Sequence, residues 1–276
     1  MGWQATLAVQ YQVENQRCVA RHQHQGPLRI LKSLYPEGDA VCHHILVHPP
    51  AGLVGGDALH IDLHLQTQAH ALITTPGATR FYGSDGLTAS QHVKAQLDAG
   101  ARLEWLPMEA LAYSGCQAHN QAVFDLAPDS QLMAWDVLAL GLPHANQAFV
   151  QGQFQQHLEI AGLWLERALI RADDTRLLHS PLGLNGYSGQ GSLVFAQGTA
   201  MEDVTRENVV NMAREVCDNH GLRLQAGVSS PHPQVVVARV LSDQLEPAVD
   251  LFKRIWLQWR SRVWGMPAVA PRIWAM

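Results

Sequence analysis

The sequence predicts a mainly β fold: a layered antiparallel or mixed β-strand domain with about two α-helices in the C-terminal third. Three observations carry this expectation. Most of the first two-thirds repeats with period two, which places apolar side chains on one face of each extended segment. Turn signals such as "QGPL", "YPEG", "TPGA", "GSDG", "DAGA" and "APDS" separate those segments. Beyond residue 200 the spacing changes twice to that of an amphipathic helix.

In chain order, "WQATLAVQYQV" opens as a strand. "LHIDLHLQ" then places Leu59, Ile61, Leu63 and Leu65 on one face, with His60, Asp62, His64 and Gln66 on the other. Strands follow at "QHVKAQLD", "ARLEWLPM", "QAVFDLA", "SQLMAWDVLAL", "FQQHLEI" and "LWLERALI". No helical periods intervene, which points to antiparallel pairing and away from a Rossmann-type sheet. No fixed repeat length emerges, so neither a propeller nor a solenoid is predicted. The first helix is expected in "TRENVVNMAREVCDNHG", with Val209, Ala213, Val216 and Cys217 on one stripe. Thr205 is its expected N-cap and Gly221 its stop. "LRLQAGVSS" and "QVVVARVLS" read as two strands. The second helix, "LEPAVDLFKRIWLQWRSRVWG", carries Leu245, Phe252, Ile255, Trp256, Trp259 and Val263 at helical spacing. Without a long linker, residues 1–276 read as a single domain.

Composition narrows the function classes. The chain has 276 residues, a net charge of -5 and no basic block, which argues against a nucleic-acid footprint. The four cysteines, Cys18, Cys42, Cys116 and Cys217, are scattered and form no C-x-x-C pair, so a reducing compartment is expected. The start "MGWQAT" formally fits a myristoylation pattern, yet no polybasic patch follows it and the segment continues as a strand. Neither a signal peptide nor a membrane-spanning stretch is seen, and the expectation is a soluble, cytoplasmic protein.

Several side-chain groups bear on chemistry. His60-x-Asp62-x-His64 lies on one strand face, with neighbours about 6–7 Å apart, close enough for two to meet at one metal ion. The alternative is the solvent face of a half-buried strand, and it carries more weight. In "HHILVHPPAGLVGGDAL", from His43 to Leu59, adjacent His43 and His44 would point to opposite sides of a strand. His48 precedes Pro49-Pro50, which extends the backbone. Gly55-Gly56-Asp57 fits an aspartate-closed turn, or else a carboxylate at the mouth of a polar cavity. "NGYSGQGS" lacks the lysine and the context of a phosphate-binding loop and reads as a flexible or partner-binding loop. The sequence around Ser188 lacks the closing glycine of a nucleophile elbow. On the second helix Trp256, Trp259 and Trp264 read as core. Lys253, Arg254, Arg260 and Arg262 form a basic edge, either solvated or a contact surface.

Taken in order, "GPLRILKSLYPEG", "CHHILVHPPAGLVGGDAL", "LITTPGATRFYGS", "LEWLPMEALAYSG", "AWDVLALG" and the terminal "PRIWAM" resemble the urease accessory protein UreD (UreH) family. The resemblance implies a non-enzymatic role in maturing urease, a nickel enzyme. It implies binding to apo-urease subunits and to the accessory proteins UreF and UreG, the latter a GTPase that carries nickel. The absence of a P-loop here suits that division of labour. The resemblance also implies a polar internal passage for transient nickel, with no cofactor tightly bound. Its acidic positions here are Asp57 in "VGGDAL", Glu109 in "LPMEAL" and Asp136 in "AWDVLAL". A few hydrated carboxylates attract a dication and still release it. The sequence departs from the family after "LALG", with Leu142 where arginine is expected and Asn146-Gln147 where Gly-Glu is expected. A different class of function, a metal-dependent hydrolase using His60, Asp62 and His64, is the alternative expectation.

Overall fold

Coiled rather than hairpin-paired strands dominate the computed structural model of the chain, which describes residues 2–267 and 269–275. Met1 of the myristoylation-like start and Met276 of "PRIWAM" lie outside the described residues. The strands are β1 (Gln4–Glu14), β2 (Arg17–Gln25), β3 (Arg29–Ile30), β4 (Cys42–Val47), β5 (Ala58–Leu65) and β6 (His70–Thr74). They continue with β7 (Thr79–Phe81), β8 (Ala89–Leu97), β9 (Arg102–Trp105), β10 (Ala110–Ala112), β11 (Gln117–Leu126) and β12 (Gln131–Leu140). After β13 (Gln153–Ile160) and β14 (Trp164–Arg171) come helix α1 (Thr175–His179), β15 (Gly189–Gln197) and α2 (Asp203–Asp218). Strands β16 (Ala226–His232) and β17 (Val235–Ser242) and helix α3 (Leu245–Val263) complete the fold.

The mainly β, mixed, layered fold class holds, and two of the three α-helices lie in the C-terminal third. The pairing differs from the antiparallel expectation. From β4 to β13 the chain alternates between two sheets, so most strands pair in parallel with the one a full coil later. Cys42 pairs with Ala71, His70 with Arg102 and Arg102 with Gln131, offsets of 29, 32 and 29 residues. Unequal coils of this kind leave no constant period in the sequence. A strand with turns at both ends reads the same whichever strand becomes its partner, which is why periodicity did not reveal the winding.

The two sheets differ in burial, and their sequences follow suit. The seven-stranded sheet (order β14-β13-β11-β8-β5-β1-β2) has one wet face, so β5 alternates buried and open positions. The other sheet is covered on both faces. Its strands β6 and β12 are nearly continuous apolar runs, because one face meets the first sheet and the other meets α2 and α3.

Trp256 and Trp259 are fully buried in the helix-covered layer, as expected of core. The basic edge needs correction at Arg260, which is fully buried. Its guanidinium binds Glu37 through two hydrogen bonds of 2.6 and 2.9 Å, approaches Glu104 at 3.1 Å, and donates to the Pro267 carbonyl at 2.7 Å. His43 donates to Glu37 at 2.5 Å, while His70 and the Trp256 indole donate to Glu104 at 2.8 and 2.5 Å. Burial alone would raise the Glu37 carboxyl, but the hydrogen bonds from His43 and Arg260 outweigh it and hold the group below its ordinary range.

Two further expectations shift. Helix α2 starts two residues before Thr205, with Glu202 at the N-cap position and Asn219 at its C-cap. "NGYSGQGS" is not a free loop: its second half enters β15. A Cβ at Gly191 would meet the Phe252 ring at 2.8 Å, so this glycine lets α3 close on the sheet. In the first strand after α2, the "LRLQ" half stays outside β16.

Replacing Arg260 with alanine strands two buried carboxylates and is expected to cost about 3–5 kcal/mol of stability. Urea denaturation of the variant checks this through a lowered midpoint.

Candidate functional site

The layer between the two sheets is apolar at most positions but holds a polar seam. Gln91 (β8), Asn120 (β11) and Gln156 (β13) point inward from the seven-stranded sheet. Asp136 (β12), Gln190 and Ser192 (β15) point inward from the other. Alternation along each strand places them there, since their neighbours two residues away, such as Val93, Ala118, Leu158, Ala134 and Val194, belong to the same core.

The hydrogen bonds of the seam run in a consistent direction. The Gln91 amide donates to Asn120 Oδ1 at 3.1 Å, and Asn120 Nδ2 lies 3.5 Å from Asp136 Oδ1. From the other side Gln190 donates to Gln156 Oε1 and Gln156 donates to Asp136 Oδ2, both at 2.8 Å. Two amide relays therefore converge on one carboxylate. Beside them Glu166 accepts from Ser192 at 2.5 Å and from Arg239 at 2.6 Å. Burial pushes the Asp136 carboxyl up to about 6; the Gln156 hydrogen bond opposes the shift and the Glu166 charge adds to it.

A cavity of about 260 Å³ adjoins one end of the seam, with Gln91 in its wall. The same wall includes His48, Leu53, Thr79 and Trp105. Each sequence-predicted acidic residue has a link to this region. The Asp57 charge acts on His48, whose imidazole burial pushes below its ordinary range. The Glu109 carbonyl accepts from the Thr79 N–H at 2.9 Å. Asp136 is reached through Asn120 and Gln91.

The three carboxylates are not alike. Asp57 is buried, and its oxygens accept from the Trp3 and Val54 backbone N–H groups at 2.7 and 2.9 Å. It closes the turn whose Gly56 sits at φ +93°, a conformation natural to glycine. Glu109 is half-buried beside Lys253, whose ammonium is lowered by burial and supported by Asp250 and Glu109. No hydrogen bond or ion pair joins Asp57, Glu109 and Asp136 among the described residues. Asp136 alone presents its carboxylate to the polar seam. A group of this kind can take up a hydrated dication and exchange a proton for it, without a cage to retain the ion.

The His60-Asp62-His64 face does not converge. His64 is hydrogen-bonded to Asp98 at 3.1 Å, Asp62 lies opposite Lys94, and the His60 ring stacks on His92. Among the described residues no group of three or more His, Cys, Asp or Glu is arranged to hold a metal ion. His43 and His44 do point to opposite sides of β4. His43 joins Glu37, while His44 is hydrogen-bonded to Tyr11 and Ser33 at 2.7 and 2.9 Å. Burial, with His22 and His43 nearby, pushes His44 down to about 4. The divergent loop after "LALG" closes through a bridge between Leu142 and Gln147 and reaches α3 through His144 and Glu246, 3.0 Å apart. Sequence reasoning missed the amide partners Gln91, Asn120, Gln156 and Gln190. Gln91 and Gln156 carry one signal, a glutamine at an inward position of a period-two strand, whereas Asn120 precedes the predicted strand and Gln190 falls in the predicted loop.

The comparisons with known proteins agree with one another. The family described as UreD urease accessory protein matches residues 4–275. A urease accessory protein UreD of Albidiferax ferrireducens is 56% identical over 276 residues, covering 100% of both chains. Those of Paracidovorax citrulli and Variovorax paradoxus are 53% and 52% identical, again over 100% of both chains.

Two outcomes follow from the carboxylates. Asp57→Ala leaves two backbone N–H groups without their acceptor and is expected to cost about 1–3 kcal/mol for each one left unsatisfied. Faster hydrogen exchange at the Trp3 and Val54 amides would localise that loss. For Asp136 the folded pKa, about 6, lies above the ordinary carboxylate value, so the folded chain holds its proton more tightly than the unfolded chain does. Stability contributed by this group is therefore present below about pH 4 and is lost as pH rises through about 6. Asp136→Asn is expected to flatten that part of the stability–pH curve, as followed by thermal unfolding across the range.

Proposed function

The chain belongs to the UreD urease accessory protein family, and from that membership we propose that it is a non-enzymatic maturation scaffold, a chaperone for nickel insertion. It binds apo-urease subunits together with UreF and UreG, and it assists GTP-dependent delivery of nickel by giving the ion a polar way through its interior. The nucleotide chemistry belongs to the partner, in keeping with a sequence that has no phosphate-binding loop. We place the protein in the cytoplasm, where its four buried cysteines stay as free thiols. Among the described residues no helix is long and apolar enough to cross a membrane.

The polar seam carries the reading. A chain whose inter-sheet layer served stability alone would fill it with apolar side chains, because buried amides and a carboxylate bring desolvation costs that packing does not. Here amides converge on Asp136 and the seam adjoins a cavity. When empty, the carboxylate takes up a proton as pH falls through about 6 and stays largely ionised at about pH 7. When a nickel ion arrives, it meets one anionic oxygen group, and it gains amide oxygens as Asn120 and Gln156, whose N–H groups face Asp136 in the empty seam, turn over. That donor set is hard and sparse, suited to an ion still carrying part of its water shell. Asp136 is the central carboxylate of the passage. Asp57 and Glu109 do not line the cavity themselves: Asp57 closes the turn beyond it, and Glu109 holds the wall residue Thr79 through its backbone carbonyl.

The test is to express urease with its accessory proteins and either wild-type chain, Asp136→Asn or Gln91→Leu. The metal content of purified urease is then measured, and the intact accessory complex is verified by co-purification. The proposal expects several-fold less nickel in urease from both variants, at unchanged complex recovery. Full nickel loading with Asp136→Asn in an intact complex would sink the passage.

A further inference from the structure

The sequence drew attention to histidines along one strand, but the structure assembles a different set across three. On the wet face of the seven-stranded sheet His60 of β5 lies directly opposite His92 of β8. Their rings stack with centroids 5.1 Å apart and planes 14° apart. His119 of β11, opposite Ser90 and hence diagonal to His92, brings its ring to 5.0 Å from His92 at 89°. Three imidazoles thus form a row at right angles to the strands, remote from the seam on the inner face of the same sheet.

In the metal-free chain the three rings are not arranged to hold an ion, yet their residue chemistry is that of a ligand set. His92 Nδ1 donates to Gln121 Oε1 at 3.0 Å. A proton on Nδ1 leaves Nε2 with a free lone pair, and the hydrogen bond orients the ring as second-shell partners orient metal-binding histidines. His119 Nε2 is buried and has no hydrogen-bond partner among the described residues. Burial, with His92 and His157 nearby, lowers the affinity of His119 for a proton. His60 is exposed and free to turn. Neighbouring strands lie about 4.7–4.9 Å apart, so the in-register His60 and His92 side chains leave the sheet about that far from each other. His60 has to turn out of the stack before its nitrogen and His92 Nε2 can share an ion. Within the row itself there is no carboxylate. Imidazole without carboxylate selects late first-row transition metals over magnesium or calcium.

We propose that His60 and His92, with His119 as a third ligand, form a surface site for a late first-row divalent cation such as Ni2+ or Cu2+, water filling the remaining positions. The site forms on binding, since the rings stack in the metal-free chain. It does not depend on the passage through Asp136, which lies on the other side of the sheet.

The full-length chain is titrated with Ni2+ by calorimetry near pH 7.5, beside the His60→Asn/His92→Asn double variant, His119→Asn and Asp136→Asn. All three histidines lie on the sheet's wet face, and an unchanged thermal midpoint verifies folding. The expected result is one Ni2+ per chain whose affinity falls about tenfold or more in the double variant. A smaller loss is expected in His119→Asn and none in Asp136→Asn. With Cu2+ in place of Ni2+, electron paramagnetic resonance is expected to show nitrogen hyperfine structure that disappears in the double variant. Magnesium is expected to give no heat. Nickel affinity unchanged in the double variant, no nickel binding at all, or equal competition by magnesium would each overturn the proposal. Failure here leaves the passage standing, because the passage is read from nickel delivered to urease.

Discussion

One buried guanidinium holds the layers together. Arg260 leaves the face of helix α3 and meets Glu37 from the segment before β4, Glu104 from β9, and the carbonyl of Pro267 beyond the helix. Each carboxylate has a second partner, His43 for Glu37, and His70 with Trp256 for Glu104. An unpaired charge in this place would be prohibitive, and the arrangement persists because nearly every donor and acceptor is used. This hydrogen-bond chain fixes where the helix, the sheet and two loop segments sit relative to one another. It also uses the far face of the ten-stranded sheet for stability, which leaves polar side chains of the other face available for a different purpose.

The two interior layers illustrate that division. Beneath the helices, tryptophan, phenylalanine and valine pack around a hydrogen-bonded charge cluster. Between the sheets, the packing is interrupted by amides that aim at Asp136 and by the cavity at Gln91. A tight metal cage would use clustered imidazoles or thiolates and would release its ion slowly. The seam offers one carboxylate that titrates at about pH 6 and a set of amides, the sparse donor set that the proposed passage needs. The same contrast separates the seam from the imidazole row outside, where softer ligands favour holding.

Much of the fold was legible along the chain. Strand β5 was readable because Leu59, Ile61, Leu63 and Leu65 alternate with polar residues, and α3 because Leu245, Phe252, Ile255 and Trp259 recur at helical spacing. Less legible were features that depend on neighbours distant in sequence. The parallel coil left no mark because strand periodicity carries no information about pairing. Arg260 looked like part of a solvated edge because its carboxylates lie more than 150 residues away. Gly189 and Gly191 looked like loop residues, whereas they admit Leu245 and Phe252 to the surface of a strand. Of the site, Asp136 was found through a family motif, and its amide partners come from four other strands. Asp57 was correctly suspected of closing a turn. The HxDxH face was read along β5, while the histidines that meet are neighbours across β5, β8 and β11.

The central claim is that this chain serves urease before the enzyme has its metal. Its most direct test is the amount of urease retained by the tagged chain, recovered from cells carrying the urease genes with and without nickel. The account predicts urease subunits on the chain, accompanied by its two accessory partners, with retention falling when nickel loading is complete. Failure to retain urease under either condition, or equal retention of nickel-free and fully loaded enzyme, would contradict it.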